Sequence, residues 1–219
     1  MNVLVLCDDF WHPGEVIVRG LKFLEEKGYN LDIVMACKDI LTAKMIRRYD
    51  VIINARGDCH SPGNHEAVWF EEGVTAVMPR EFKAYVEEGH GFIALHSGNT
   101  YKNTKTPEMV DLIGNEFVNH PPQCTITAKA VKEHPIMKDV KPFTFRDEHY
   151  IINITAEDAD IFMEGTSETR AGTQPAGYTR NVGKGRLVVL TPGHNSAVFE
   201  DEEYQKVLIN ALEWSVGNI

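Results

Sequence analysis

The chain contains 219 residues, of which 43% are hydrophobic, and 32 acidic residues against 22 Lys and Arg give it a net charge of −10. A chain of this length can bury roughly 70% of its unfolded surface in one α/β domain, so we treat residues 1–219 as a single domain. The acid excess argues against a nucleic-acid partner, because binding to phosphate backbones relies on a field of Lys and Arg. We therefore expect a small-molecule ligand.

The first half of the chain alternates apolar strands with helices. Continuous apolar runs are typical of strands that are buried on both faces of a parallel sheet. Such runs lie at residues 3–7, 51–53 and 92–95, and residues 31–35 repeat the strand signal. Helices are predicted from Gly14 to Lys27, from Asp39 to Arg48 and from Pro79 to Gly89. The alternation predicts an α/β fold with a mostly parallel sheet and right-handed crossovers, and residues 55 to 78 form a long connection.

In the second half, strands predominate over helices. A short helix is predicted from Pro107 to Ile113, and a final helix from Asp201 to Val216. Strands are predicted at residues 125–131, 143–152 and 161–165. The turn from Arg180 to Arg186 joins two further strands, which is the pattern of an antiparallel hairpin. This half therefore adds an antiparallel hairpin to the parallel sheet.

The amino-terminal run and the cysteines favour a reducing, cytoplasmic setting. The apolar start from Val3 to Leu6 runs into Asp8 and is too short for a signal sequence or a membrane span. The four cysteines are Cys7, Cys37, Cys59 and Cys124. They include no CxxC pair, which favours reduced thiols over a set of disulfides or a zinc ribbon. We expect no membrane partner, and a homo-oligomer is the base-rate expectation.

Five of the nine histidines follow predicted strands. Ligands of open parallel sheets bind at the carboxyl ends of the strands, where loops converge. The five are His12, His60, His65, His96 and His194. A single loop histidine is more often structural, which is the default for His60 and His65. His12, His96 and His194, in contrast, reach one edge from three separate strands, which predicts metal binding or proton transfer there.

Three other histidines give no such signal. His90 precedes the fourth strand, at the opposite edge of the sheet, so we expect it to lie on the surface. His120 and His134 precede prolines, in turns whose position the sequence does not fix.

Asp147 and Glu148 are adjacent carboxylates on a predicted strand. Neighbouring strand residues point to opposite faces, so one of the two at most faces the same cavity as the histidines. They are either a solvated acidic pair or part of a mixed histidine and carboxylate site suited to zinc, manganese or iron. We predict a divalent metal, with zinc as the first candidate, bound by His12, His96, Glu148 and His194. The predicted catalytic residues are His96, Asp147 and Glu148.

Four residues are predicted to bind the substrate: Asp9, Ser97, Tyr150 and Tyr178. Either tyrosine lines the pocket or, as strand aromatics more often do, packs in the core. Asp9 binds a metal or a substrate hydroxyl, or instead caps the first helix.

The segment Leu95-His96-Ser97-Gly98 is a strand that turns sharply into a glycine. Such a turn resembles the nucleophile elbow of hydrolases, which lifts one side chain over the edge of the sheet. His96 occupies the elbow position, where a hydrolase has Ser or Cys, and Ser97 is a nucleophile only if the register is shifted by one residue. Ordinary acyl transfer is therefore not expected.

Five short motifs, taken in their order and spacing, resemble those of the ThuA-like trehalose-utilisation proteins. They are Asp9-Phe10-Trp11-His12, Leu95-His96-Ser97-Gly98 with Gly114 downstream, His134-Pro135-Ile136, Asp147-Glu148-His149-Tyr150, and Gly183-Lys184-Gly185-Arg186 leading to Pro192-Gly193-His194.

This resemblance implies a flavodoxin-like three-layer sandwich of the class I glutamine amidotransferase-like superfamily. It places His96 where the amidotransferases have cysteine, and His194 roughly where they have histidine. Ser196 stands where they have a carboxylate. The resemblance therefore implies no glutaminase activity and a role in the use of disaccharides or their keto derivatives.

Three functions are compatible with these residues. The first is a metal-assisted hydrolase, lyase or isomerase that acts on a sugar or keto-sugar. The second is a non-catalytic sugar-binding or regulatory module that kept the fold after losing its nucleophile. The third is a metal-independent acid/base enzyme that uses histidines alone.

Overall fold

The computed structural model describes residues 1–35, 41–57 and 79–219. His60, His65, Cys37 and Cys59 lie outside these residues, as does most of the long connection predicted over 55 to 78. None of the helices in the described part of the chain is long and apolar enough to span a membrane.

The described residues form eleven strands and seven α-helices. The strands are β1 (Asn2–Cys7), β2 (Asn30–Met35), β3 (Val51–Asn54), β4 (Gly91–Leu95), β5 (Asn115–Asn119), β6 (Cys124–Ala130), β7 (Phe143–Asp147), β8 (Ile151–Ile154), β9 (Asp160–Thr166), β10 (Thr173–Val182) and β11 (Gly185–Leu190). The helices are α1 (Gly14–Gly20), α2 (Lys22–Glu26), α3 (Ala43–Ile46), α4 (Pro79–Glu87), α5 (Pro107–Ile113), α6 (Ser196–Phe199) and α7 (Glu202–Ser215).

Nine of the strands form one sheet in the order β2–β1–β3–β4–β11–β10–β9–β6–β7. The first five strands in this order are parallel to one another. Strands β3 and β4 are buried throughout, as their continuous apolar sequences predict. The large, mostly parallel sheet predicted from the sequence is therefore present, and the carboxyl ends of its strands share one edge.

The antiparallel part of the sheet is larger than predicted. Strands β10 and β11 form the expected hairpin, and β9, β6 and β7 extend it with further antiparallel pairs. The single strand predicted over 143–152 is wrong, because β7 ends at Asp147 and β8 pairs with β5 in a separate two-stranded sheet. The side chain of Asp147 accepts a hydrogen bond from the backbone N–H of Glu148 at the break. A local side-chain bond of this kind takes the place of a ladder bond.

Helices cover both faces of the sheet, which gives three layers. Apolar residues of α1, α2 and α7 pack on one face, and those of α4 and α5 pack on the other. The helix predicted from Gly14 to Lys27 is divided at Leu21 into α1 and α2. Helix α7 begins after Asp201, whose carboxylate accepts hydrogen bonds from the backbone of Glu203 and Tyr204.

His134 is expected to make the stability of the protein depend on pH. Its ring is stacked on Phe162 at a centroid distance of 4.9 Å, and its Nδ1 accepts a hydrogen bond from the backbone of Ile136. Burial and the charge of Lys132 lower the pKa of His134 from 6.5 to about 4. The unfolded chain therefore binds more protons between these values, and the free energy of unfolding falls as the pH decreases through them.

We expect His134 to account for a loss of about 1–2 kcal/mol between pH 7.5 and pH 4.5, a figure reduced for its partial exposure. Urea denaturation of wild type and His134→Asn at both pH values measures this loss, because asparagine retains an acceptor for Ile136. A loss of the same size in both proteins would contradict the assignment.

Candidate metal centre

Four side chains from four separate strand ends meet at the carboxyl edge of the parallel strands. His12 follows β1, His96 follows β4, Glu148 follows β7 and His194 follows β11. One nitrogen or oxygen atom from each lies within 4.8 Å of the corresponding atoms of the others. These are the four residues that the sequence predicts as metal ligands, and the fold brings all of them together.

His12 is oriented by the carboxylate of Asp9. Oδ1 of Asp9 lies 2.7 Å from Nδ1 of His12, and Oδ2 accepts a hydrogen bond from the backbone of Gly57. Burial favours a raised pKa for Asp9, but its hydrogen bond to His12, the charge of His12 and the backbone donors lower the pKa to about 2. Asp9 therefore stays ionised and holds the ring, which leaves Nε2 of His12 to face the other histidines. Asp9 also lines the adjoining cavity, as expected for its predicted role.

His96 lies at a strained turn, as the resemblance to a nucleophile elbow predicts. Its backbone has a φ of 43°, in the left-handed region that residues other than glycine rarely adopt. Nδ1 lies 2.7 Å from the carbonyl oxygen of Thr191 and donates to it, so Nε2 carries the lone pair. The hydroxyl of Tyr150 lies 2.9 Å from this Nε2, and the two rings are stacked. The turn therefore points Nε2 of His96 over the edge of the sheet.

Glu148 lies between the histidines. Its Oε2 is 3.2 Å from Nδ1 of His194 and 3.6 Å from Nε2 of His96. Burial favours a raised pKa for Glu148, but the neighbouring His194 and His96 lower the pKa well below its usual range. Glu148 in turn raises the pKa of His194, against the effect of burial.

The spacing of these atoms fits a divalent metal ion. Among the described residues, Nδ1 of His194 is buried and has no partner with good hydrogen-bond geometry. Ligand atoms about 2.0–2.2 Å from a tetrahedral ion are separated from one another by about 3.3 Å, close to the distances around Glu148. Three imidazoles and one carboxylate are also a donor set that zinc and other transition metals accept. An ion bound here would give Nδ1 of His194 a partner with good geometry.

Asp147 is placed differently from its predicted catalytic role. It is fully buried, and its oxygens accept hydrogen bonds from the backbone of Gly193 at 2.7 Å, of His194 at 3.1 Å and of Glu148 at 2.8 Å. The carboxylate does not line the cavity. Glu148 faces the site and Asp147 does not, although Glu148 lies just beyond the end of β7 and not within a strand. These contacts make Asp147 a positioning residue that connects the backbones of two candidate ligands.

Two of the predicted substrate-binding residues lie elsewhere. The hydroxyl of Ser97 is buried and donates to the carbonyl of Ala55 at 2.7 Å. The hydroxyl of Tyr178 donates to Ile113 and accepts from Asn115 inside the core. Neither side chain lines the cavity. The core alternative for Tyr178 is therefore correct, and the structure gives Ser97 no contact with the site.

A cavity of about 660 Å³ opens beside the cluster. It is lined by the cluster residues His12, Glu148 and His194 together with Trp11, Lys102, Phe117, His120 and Tyr150. Tyr150 thus has the location that the sequence predicts, and the volume is in the range of small-molecule sites.

His120 is the cavity histidine that sequence reasoning missed. Its Nε2 lies 3.6 Å from Oε2 of Glu148, and its Nδ1 lies 2.9 Å from the carbonyl of Pro121. It follows β5, a strand that was not predicted because its sequence from Asn115 to Asn119 is mostly polar. Prediction of β5 would have placed His120 at a strand end, with the other candidate residues.

Comparison with known proteins relates the whole chain to one family. A sequence model of the ThuA family, described as trehalose utilisation, matches residues 3–215. A comparison with curated protein sequences finds no match.

Solved structures of low sequence identity share the fold. A ThuA-like protein from Bacteroides uniformis ATCC 8492 has a TM-score of 0.74 and 20% identity, over 99% of this chain and 91% of that chain. A ThuA-like protein from Parabacteroides merdae ATCC 43184 has a TM-score of 0.76 and 16% identity, over 100% of this chain and 90% of that chain. A β-galactosidase from Rahnella sp. R3 has a TM-score of 0.65 and 16% identity, over 97% of this chain and 30% of its own. The match over residues 3–215 confirms the resemblance of the motifs, and the chain belongs to the ThuA trehalose-utilisation family.

Proposed function

We propose that the protein is a metal-assisted enzyme of carbohydrate utilisation that acts on a sugar or keto-sugar. The observation that carries this proposal is the convergence of His12, His96, Glu148 and His194 beside a cavity of small-molecule size. Family membership supports a carbohydrate as the substrate, and the reaction is a hydrolysis, an elimination or an isomerisation. Zinc is the first candidate for the metal, given the three imidazoles.

The residues in and around the cluster have two roles, which are to bind the metal and to transfer a proton. The four cluster residues would hold the metal, which when bound would polarise a carbonyl group of the substrate. Asp9 and Thr191 fix the rings of His12 and His96 through their Nδ1 atoms. His120 donates a hydrogen bond from Nδ1 to the carbonyl of Pro121 and lines the cavity, where its Nε2 would exchange a proton with the substrate.

The fold also supports descent from an amidotransferase-like ancestor. The five parallel strands have the order 2-1-3-4-5 when they are renumbered along the chain, which is the flavodoxin-like order. His96 holds the elbow position but offers no thiol or hydroxyl for a covalent intermediate. We therefore propose a flavodoxin-like, amidotransferase-like fold that has exchanged a nucleophile for a metal ligand.

Metal analysis of protein purified without a histidine tag tests the centre. After zinc or manganese loading and desalting, wild type should retain about one equivalent, and Glu148→Gln should retain little. His90→Gln is the matched control, because His90 precedes β4 and stacks on Tyr85, away from the cluster. Retention of less than about 0.1 equivalent by wild type would overturn the metal site and favour a metal-independent enzyme.

Turnover separates an enzyme from a binding module. Loaded wild type should convert a disaccharide or keto-disaccharide that His96→Ala and Glu148→Gln bind without converting. If wild type binds sugars and converts none of them, the alternative of a non-catalytic sugar-binding or regulatory module is favoured.

A further inference from the structure

We propose that the substrate of this site is an acidic sugar, whose carboxylate or phosphate binds at Lys102 and Lys105. This inference rests on the proposed function and concerns the chemical class of the substrate. Both lysines line the same cavity as the metal cluster.

The lysines are carried by the loop that follows β4 and the 3-10 turn His96–Asn99. Lys102 is exposed, and its Nζ lies 5.9 Å from the centroid of the Phe117 ring. Among the described residues, no acidic side chain forms an ion pair with Lys102, although Lys83, Lys129 and Lys206 each have one. The chain has a net charge of −10, so carboxylates are plentiful, yet none of those described pairs with Lys102. The ammonium group of Lys102 is therefore suited to bind an anionic group of the ligand.

Among the described residues, the acidic side chains that line the cavity are already engaged at the cluster. Asp9 contacts His12 and the backbone of Gly57, and Glu148 lies among His96, His120 and His194. Neither carboxylate is within ion-pair distance of Lys102. As far as the described residues go, a neutral sugar would bring no counter-charge to this ammonium group, whereas an acidic sugar supplies one.

The remaining wall suits the ring of a sugar. Trp11 is 71% exposed although it lines the cavity, and its backbone N–H donates to the Asp9 carboxylate that also orients His12. An aromatic face next to a candidate ligand can pack against the apolar face of a sugar ring. The sugar would then contact Trp11 and Phe117, with its reacting group at the cluster and its acidic group at Lys102.

Calorimetric titration with paired probes tests the proposal. The pairs are trehalose with trehalose 6-phosphate, and glucose with glucuronate, each titrated into both metal-free and zinc-loaded protein. We expect wild type to prefer one acidic member by about tenfold or more, and the preference to weaken as salt increases. The member that is preferred identifies phosphate or carboxylate as the acidic group.

The variants assign this preference to the lysines. Lys102→Gln combined with Lys105→Gln should reduce the preference to about twofold or less, without changing the metal content. Lys22→Gln on α2 is the control, because this exposed lysine does not line the cavity, and it should behave as wild type.

Three results would overturn the proposal. One is equal binding of the neutral and acidic members of both pairs, and another is a preference that survives in the double variant. The third is a preference that requires zinc, which would place the anion on the metal. If wild type binds no metal but the preference persists and depends on the lysines, the metal-assisted function fails and the anion subsite stands.

Discussion

Replacement of Asp147 by asparagine is expected to lower the metal affinity of the protein by about 10–100-fold and its stability by about 3 kcal/mol. Asp147 is buried and accepts backbone hydrogen bonds from Glu148, Gly193 and His194. An amide of the same size presents N–H groups where an acceptor is needed, and it removes the charge that strengthens these bonds. Both Glu148 and His194 would lose the contact that fixes their backbones.

Zinc titration against a competing chelator measures the affinity, and urea denaturation in excess EDTA measures the stability of the metal-free protein. Asp201→Asn is the matched control, because Asp201 also accepts two backbone bonds but caps α7, away from the cluster. Asparagine is a good N-cap, so this control should be nearly neutral. An Asp147→Asn protein that keeps the affinity of wild type would show that Asp147 does not position the ligands.

Substitution of Gly193 by alanine is the second change with a large expected effect. Gly193 has a φ of 149°, a conformation open almost exclusively to glycine. An added Cβ would lie 2.8 Å from Cβ of His96, so the backbone or the His96 turn must move. We expect a loss of roughly 3 kcal/mol in stability, together with weaker metal binding, because one shift disturbs both His96 and the adjacent His194.

Gly172→Ala provides the comparison for Gly193→Ala. Gly172 also has a positive φ, of 60°, but an added Cβ there meets nothing within 4 Å. The free energy of unfolding should therefore fall only by the cost of placing alanine in a left-handed backbone conformation, about 1 kcal/mol. The metal affinity should not change. Equal effects of the two substitutions on melting temperature and zinc affinity would mean that the contact with His96 is not the cause.

The meeting of His12, His96, Glu148 and His194 was predictable because it depends on two simple regularities. Apolar runs located the parallel strands, and the rule that loops converge at their carboxyl ends placed His12, His96 and His194 together. Of the adjacent Asp147 and Glu148, one at most was expected to face the site, and this expectation holds although Glu148 lies just beyond β7. These patterns are local in sequence, and pairing of the strands in the sheet brings the residues at their ends close together.

The roles of Asp147, Ser97 and Tyr178 were not predictable in the same way. Each is a polar side chain whose hydroxyl or carboxylate is engaged by backbone or core groups far away in the sequence. For example, Ser97 donates to Ala55, and Tyr178 donates to Ile113. Nothing in a short motif distinguishes a side chain that bonds to a remote carbonyl from one that faces a substrate. His120 was missed for the related reason that β5 is too polar to be recognised as a strand.

The cluster joins segments from residue 12 to residue 194, and it links the parallel strands to β7 at the far end of the sheet order. A site assembled from such distant segments does not exist in the unfolded chain. A metal bound there would therefore act on the native state alone, and a free concentration of 1,000 times the dissociation constant would add about 4 kcal/mol to the free energy of unfolding. Metal supply would then govern the lifetime of the protein in the presence of proteases, as well as its activity.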